Sequence, residues 1–555
     1  MLAWCCAVLL EDVLRLRITL DRGLEIDLSR QVYEQLKGAI LTGRIKPGER
    51  LPSSRELASQ LEVSRPTINA AFDLLSSEGF IERRLGSGTF IKELDGRYLR
   101  FKRSESNVES PAAYSELTKF AKSLVLRQER DFGSDSLPNA ASSFALVRQS
   151  AAREKVQVKV REKLIDFQYG TPSLAEFPIG EWNRIVGRSS RVLGPEDLMK
   201  SGAAWGELFL RESIAHWLHR VRGLNVSPEQ VIVLHGLNQA IDLTARIFLE
   251  PGVSALVETP GYQSCLQLFA SVGANTRPAF VDQDGLDLSI WTGRYGRHLE
   301  RLRLIYTTPS HQFPTGVTMT LERRLELLEF ARRKGAFVFE DDFDSEYFAE
   351  GKPLPALMSL DKFQRVIYCG TFNQLVFPAL GLGYLVVPES LIEIYRSACS
   401  LLIEPVSLIL QKCLDEFVRS GEMERHWRRS LLLYAERRQV FLNEIDRRFG
   451  DEVRRLGSAT GVFTTVQFRS LTTAKSQQFR AEARARGVLL YPMSHFLGEF
   501  SLECRDEKLT ELIRAALSAR DATAAQQFIF GLGAAKRNQI TRGIKILSQV
   551  YSELI

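Results

Sequence analysis

The chain has 555 residues, a formal net charge of +6, and 45% hydrophobic and 25% charged residues. That length exceeds what one hydrophobic core supports, so two or more domains are expected. The composition is that of an ordinary soluble protein, no apolar run is long enough to span a bilayer, and so mild a charge does not by itself indicate nucleic acid.

The opening stretch "MLAWCCAVLLEDV" has the length of a signal core but no basic flank, and it runs straight into acidic residues. It reads as the start of a cytoplasmic chain, either a buried first segment or the product of a misplaced start. The seven cysteines are scattered without a C-x-x-C pair, which fits a reducing compartment and gives no disulfide framework or zinc site.

Residues 26–93 are dense in helix caps. Within "LPSSRELASQLEVSRPTINAAFDLLSSEGFIERRLGSGTFI", Ser53 and Glu56 make an S-x-x-E capping box that opens a short helix through Leu61. Ser64 caps a second helix that tolerates Pro66 in its first turn and turns Ile68, Ala71, Phe72 and Leu75 inward. Two helices joined by a tight turn make a helix-turn-helix, whose second helix can enter a major groove. "FIERRLGSGTF" then predicts a hairpin wing about Gly86-Ser87-Gly88.

Residues 94–164 are polar and basic without a sustained apolar period, and read as a flexible linker. From 165 to 523, apolar runs such as "VIVLHG", "SALVETP", "LRLIYTTPS", "AFVFEDD" and "RVIYCG" alternate with amphipathic helical stretches. That alternation predicts an α/β domain with a mostly parallel sheet. After Thr523 the composition changes, and 524–555 reads as a helical extension. Its Ile540, Ile544, Leu547, Tyr551 and Leu554 form one seam, which packs on its own domain or serves as a small assembly element. Deleting this extension is expected to leave assembly intact.

The N-terminal unit resembles the GntR-type winged helix, including the S-R-x-L-A and S-G-T-F signatures. The resemblance implies that Arg55, Ser64, Arg65, Thr67 and the wing near Gly88 face DNA. The chemistry agrees: arginine makes bidentate contacts to guanine or phosphate, and small hydroxyls reach phosphate oxygens. Arg83 and Arg84 are as easily solvated wing residues. The remaining chain resembles the MocR branch of that superfamily, through "WNRIVGRSSR", "VETPGYQSCLQLFASVGA", "TPSHQFPTGVTMTLERRLELL", "EDDFDSEYFAEGKPLPAL" and "RVIYCGTFNQLVFPALGLGYLVVP". This resemblance implies a fold-type I, class I/II aminotransferase-like domain, a homodimer, and sensing of pyridoxal phosphate (PLP) or its amine adduct.

Residue by residue, the implied cofactor pocket is partly kept and partly lost. Asp341 matches the aspartate that pairs with the pyridine nitrogen. The turn Gly236-Leu237-Asn238 opens a helix whose N–H groups can cradle a phosphate. Tyr262 matches an aromatic beside the ring. Phe343 stands where a tyrosine hydroxyl is expected, Gly381 where an arginine is expected, Asn373 for a serine and Gln374 for the Schiff-base lysine. In the acidic run, Asp342 and Glu346 read as solvated, whereas Asp341 reads as buried. Towards the C-terminus, Ser501 and Arg505 lie near where the fold often places a carboxylate-binding arginine.

An amide nitrogen gives its lone pair to its carbonyl and forms no Schiff base. Loss of the arginine and tyrosine contacts weakens PLP by about 2–4.5 kcal/mol, on the order of 30- to 1,500-fold. The leading reading is a DNA-binding transcriptional regulator with a catalytically inactive, aminotransferase-like effector domain and no covalent cofactor or metal. Its partners would be an operator duplex, a second copy of itself and a small-molecule effector, with no membrane. Alternatives are a regulator that holds PLP weakly and noncovalently, an inactive pseudo-regulator, and an active aminotransferase with a DNA-binding domain. Against the last, Lys362 and Lys412 lie outside the motif.

Overall fold

The computed structural model describes residues 18–21, 27–41, 43–84, 87–92, 164–199, 202–299, 301–348, 354–458, 461–500 and 506–555. These residues divide into two units, each described by itself. The opening segment, the expected linker (Leu164 excepted) and the Ser501–Arg505 stretch lie outside the described residues.

The first unit contains helices α1 (Leu28–Leu41), α2 (Ser54–Gln60) and α3 (Arg65–Ser77). Strands β1 (Arg50–Leu51), β2 (Ile81–Arg84) and β3 (Gly88–Ile91) form an antiparallel sheet in the order β1-β3-β2. The capping box forms as expected: the Ser53 N–H donates to Glu56 at 2.8 Å, and the Glu56 N–H donates to Ser53 Oγ at 3.3 Å. Ser64 caps α3. The predicted inner face of α3, Ile68, Ala71, Phe72 and Leu75, is buried against Val32, Leu36 and Leu57. Gly88 is required by geometry: its φ is +113°, and an added Cβ would lie 2.7 Å from Arg50 Nε on the paired strand.

The second unit is built on an eight-stranded sheet in the order β5-β12-β11-β10-β9-β6-β7-β8. Its strands are β5 (Val231–Leu234), β6 (Ser254–Thr259), β7 (Asn275–Asp282), β8 (Gly285–Asp287), β9 (Leu302–Thr307), β10 (Phe337–Asp341), β11 (Val366–Thr371) and β12 (Gly383–Val386). The run β11-β10-β9-β6-β7 is parallel, while β12 and β8 are antiparallel to their neighbours. The continuous apolar runs in the sequence follow from burial on both faces, and β5, β6, β11 and β12 are buried at every residue. The carboxyl ends of the parallel strands, where such sheets bind ligands, carry Thr259, Thr307, Asp341 and Thr371.

A second, antiparallel sheet has the order β13 (Val453–Leu456), β14 (Phe463–Phe468), β17 (Gln527–Gly531), β16 (Tyr491–Pro492). A short strand β4 (Ile165–Asp166) pairs in parallel with β15 (Val488–Leu489). The segment 524–555 is therefore not a separable extension. It contributes β17, an inner strand flanked by β14 and β16, and a final helix, Arg537–Leu554. That helix packs on Glu422–Phe449, Thr473–Ala485 and β4. Ile540, Ile544, Leu547 and Tyr551 are buried among Phe167, Phe441, Phe468 and Phe528. The expectation that deleting this segment leaves assembly intact is at odds with that packing, because removal would open the inner strand position of this sheet.

Candidate functional site

In the first unit, Arg55 lies in the first turn of α2 and Arg65 begins α3, both exposed. Arg65 Nε approaches Ser54 Oγ at 3.4 Å, which ties the starts of the two helices together. Ser64 Oγ and Thr67 Oγ1 lie 2.8 Å apart, so both hydroxyls sit at the α3 N-terminus. On the wing, Arg83 pairs with Asp73 at 2.6 Å and Arg84 pairs with Glu82. The wing arginines thus already have carboxylate partners.

In the second unit, seven segments meet at the carboxyl edge of the large sheet. Gly236, Leu237 and Asn238 start the helix Gly236–Phe248, and the Tyr262 hydroxyl donates to Asn238 Oδ1 at 2.8 Å. Tyr262 lies edge-on to Phe313, with centroids 6.5 Å apart. Phe313 in turn contacts Tyr169 at 5.3 Å, Phe343 at 6.1 Å and Phe496 at 5.0 Å. Next to Tyr169, the Gly170 carbonyl accepts from Gln374 Nε2 at 2.9 Å. The loop carrying Gln374 returns to the start through Gly381, whose carbonyl would lie 3.8 Å from a Cβ on Gly236.

Gln374 is 7% exposed, and its Oε1 is buried without a hydrogen-bond partner, as is Asn373 Oδ1. Its Nε2 bond to a carbonyl fixes which end of the amide is oxygen. Gly381 is left-handed at φ +62°, and an added Cβ meets nothing within 4 Å. A side chain there has room but needs a backbone conformation that costs an L-residue about 1–2 kcal/mol. Phe343 offers no hydroxyl; its ring stacks on Phe463 with centroids 6.3 Å apart.

Asp341 ends β10 and is 3% exposed. The Tyr306 hydroxyl donates to its Oδ2 at 2.5 Å, while Oδ1 has no partner. Burial pushes the Asp341 carboxyl up to about 7; the Tyr306 bond opposes this and the charges of Asp342, Glu258 and Asp344 add to it. A buried Tyr hydroxyl demands a polar partner, which is the one signal in the sequence that pointed to Tyr306. Gly170 was not singled out by the sequence.

The acidic run departs from expectation. Asp342 and Glu346 are not solvated: they are 2% and 5% exposed. Asp342 forms an ion pair with Arg222 at 2.8 Å and accepts from Tyr368 at 2.6 Å and Ser345 at 2.7 Å. Burial is the largest influence and raises the Asp342 carboxyl, but the Arg222 charge and the hydrogen bonds from Tyr368 and Ser345 together hold the group below its ordinary value. Asp344 is paired with His311 Nδ1 at 2.8 Å. Burial pushes Glu346 up to about 8, and its Oε2 has no partner.

The pocket can be tested against PLP on these contacts. The Asp341 Oδ1 and the helix start at Gly236 suit the ring nitrogen and a phosphate. At the other positions that the resemblance assigns to the cofactor, 374 carries an amide, 381 no guanidinium and 343 no hydroxyl. These side chains supply no group that forms a Schiff base. A cavity of about 620 Å³ lies elsewhere in this unit, lined by Pro260, Asp282, Thr315, Arg454, Ser458 and Arg520 among others; neither Asp341 nor Gln374 lines it.

Comparison with known proteins gives two family matches. Residues 28–91 match the model "Bacterial regulatory proteins, gntR family", and residues 185–516 match "Aminotransferase class I and II". The chain is 34% identical over 478 residues to the probable rhizopine catabolism regulatory protein MocR of Rhizobium meliloti, covering 86% of this chain and 88% of that one. It is 30% identical over 426 residues to the HTH-type pyridoxine biosynthesis transcriptional regulator PdxR of Corynebacterium glutamicum, covering 77% and 80%. Among solved structures, the Pyrococcus horikoshii kynurenine aminotransferase superposes with a TM-score of 0.61 at 24% identity, over 74% of this chain and 96% of that one.

Proposed function

Since the chain belongs to the gntR family of bacterial transcriptional regulators, in the MocR-type branch that carries a class I and II aminotransferase domain, we propose that its effector domain works without covalent cofactor chemistry. In this reading the first unit binds an operator duplex through Arg55, Ser64, Arg65, Thr67 and the wing at Gly88. The second unit holds a small-molecule effector, catalyses no transamination and pairs two copies of the chain.

One observation carries the noncovalent reading: Gln374 occupies the motif position of the Schiff-base lysine, with its amide nitrogen tied to the Gly170 carbonyl. The test is incubation with PLP, borohydride reduction and peptide mapping of the product. No adduct is expected at any lysine of this pocket; a stoichiometric adduct there overturns the reading. Gln374→Lys alone is expected to restore little, whereas Gln374→Lys with Gly381→Arg and Phe343→Tyr should yield an adduct at 374. The left-handed backbone at 381 sets the limit on that recovery. The unpartnered Asp341 Oδ1 favours a second reading, in which PLP docks noncovalently.

A further inference from the structure

We propose that the site at Asp341, at the carboxyl end of β10, takes an unphosphorylated organic cation, with Asp341 as its counter-ion, and disfavours the phosphorylated cofactor of aminotransferases. This rests on the noncovalent reading above and names the ligand class of the same site.

The first support is a surplus of acceptors. Asp341 Oδ1, Gln374 Oε1 and Asn373 Oδ1 are all buried and without hydrogen-bond partners. A buried polar atom left unpaired is costly, and an isolated carboxylate more so. A ligand that brings N–H donors and a positive charge would satisfy Asp341 Oδ1, whereas phosphate oxygens would satisfy none of the three. Among the described residues Asp341 has no ion pair, whereas its neighbours Asp342 and Asp344 are matched by Arg222 and His311.

The second support is the wall. Tyr169, Tyr262, Phe313, Phe343 and Phe496 form a linked set of rings with centroid separations from 5.0 to 6.5 Å. Aromatic faces beside a carboxylate attract ammonium and pyridinium groups through the ring quadrupole. The third support is what an anion would find. Gly381 offers no guanidinium to add to the helix start at Gly236. A helix end without a cationic side chain is a weak phosphate site compared with one that has an arginine.

Two matched pairs of probes test this on the full-length protein by calorimetry at pH 8. Benzylamine against benzyl alcohol isolates the charge; pyridoxamine against pyridoxamine 5′-phosphate isolates the phosphate. Benzylamine is expected to bind at least about tenfold more tightly than benzyl alcohol, and pyridoxamine more tightly than its phosphate. Asp341→Asn, which keeps size and shape, should lower the affinity for both amines by about tenfold or more and leave benzyl alcohol unchanged. Gly381→Arg should shift preference toward the phosphate and is the control for a folded, ligand-competent pocket. Equal binding of the neutral and cationic probes, tighter binding of the phosphate by the unaltered protein, or amine affinity indifferent to Asp341→Asn overturns the inference. Those outcomes leave the noncovalent reading standing; a mapped lysine adduct in this pocket removes both.

Discussion

Asp341 and Gln374 show how one residue's meaning depends on what surrounds it. The sequence placed a carboxylate at the end of an apolar strand, which is enough to expect burial. It did not show that Tyr306 supplies its one hydrogen bond, because that partner comes from the neighbouring strand. For the same reason Asp342 and Glu346 read as solvated: Arg222, which neutralises Asp342, sits in a helix far earlier in the chain. The shift of Asp341 from 3.8 to about 7 has a consequence for stability. Between these values the folded chain binds a proton that the unfolded chain releases, so this group's contribution is intact below about pH 4 and is lost as pH rises through about 7. Glu346, pushed up to about 8, acts in the same direction over a window reaching one unit higher. Asp341→Asn removes the cost of ionisation, at most about 4 kcal/mol for such a shift. Urea unfolding should show the variant gaining stability over the natural protein at pH 8 and gaining far less at pH 5. An equal effect at both values would place the burden elsewhere.

At the level of elements, periodicity and caps were legible and short strands were not. The capping box at Ser53 and the inner face of Ile68–Leu75 follow from local chemistry, and both formed as read. The run "QFIFG" is too short for its period to separate strand from helix, so β17 was missed and its segment was assigned to an extension. Its partners β14 and β16 lie earlier in the chain, and only their arrival shows that the tail completes a sheet. Truncation after Thr523 should therefore leave the second unit poorly folded, seen as loss of cooperative thermal unfolding. Leu547→Ala, a milder change in the same core, should cost about 2–5 kcal/mol. On the other unit, Arg55 and Arg65 stand at the starts of two helices with exposed side chains. Replacing either by Ala is expected to weaken binding to the cognate operator by about 1–3 kcal/mol. Affinity should fall steeply with added salt as phosphate contacts release counterions. Fluorescence anisotropy on the operator measures both effects, and unchanged affinity in both variants would move the recognition surface elsewhere.

For the whole molecule, the sequence was sufficient to separate a helix-turn-helix from an α/β effector domain, because the two use different hydrophobic periods. No helix among the described residues is long and apolar enough to cross a membrane. Two copies are expected to associate through the second unit, and light scattering at micromolar concentration should report the dimer mass. A uniform monomer would contradict this. The tail strand carries a final implication for how the chain is made. Among the described residues the strands of the first unit end at Ile91, while the small sheet of the second waits for Gly531 and the core beneath it for Leu554. Synthesis runs from the amino end, so a ribosome releases a finished DNA reader long before the sensor can close. A message cut short within its last thirty or so codons would then yield an operator-binding fragment with no working sensor, able to compete with intact copies rather than merely being lost.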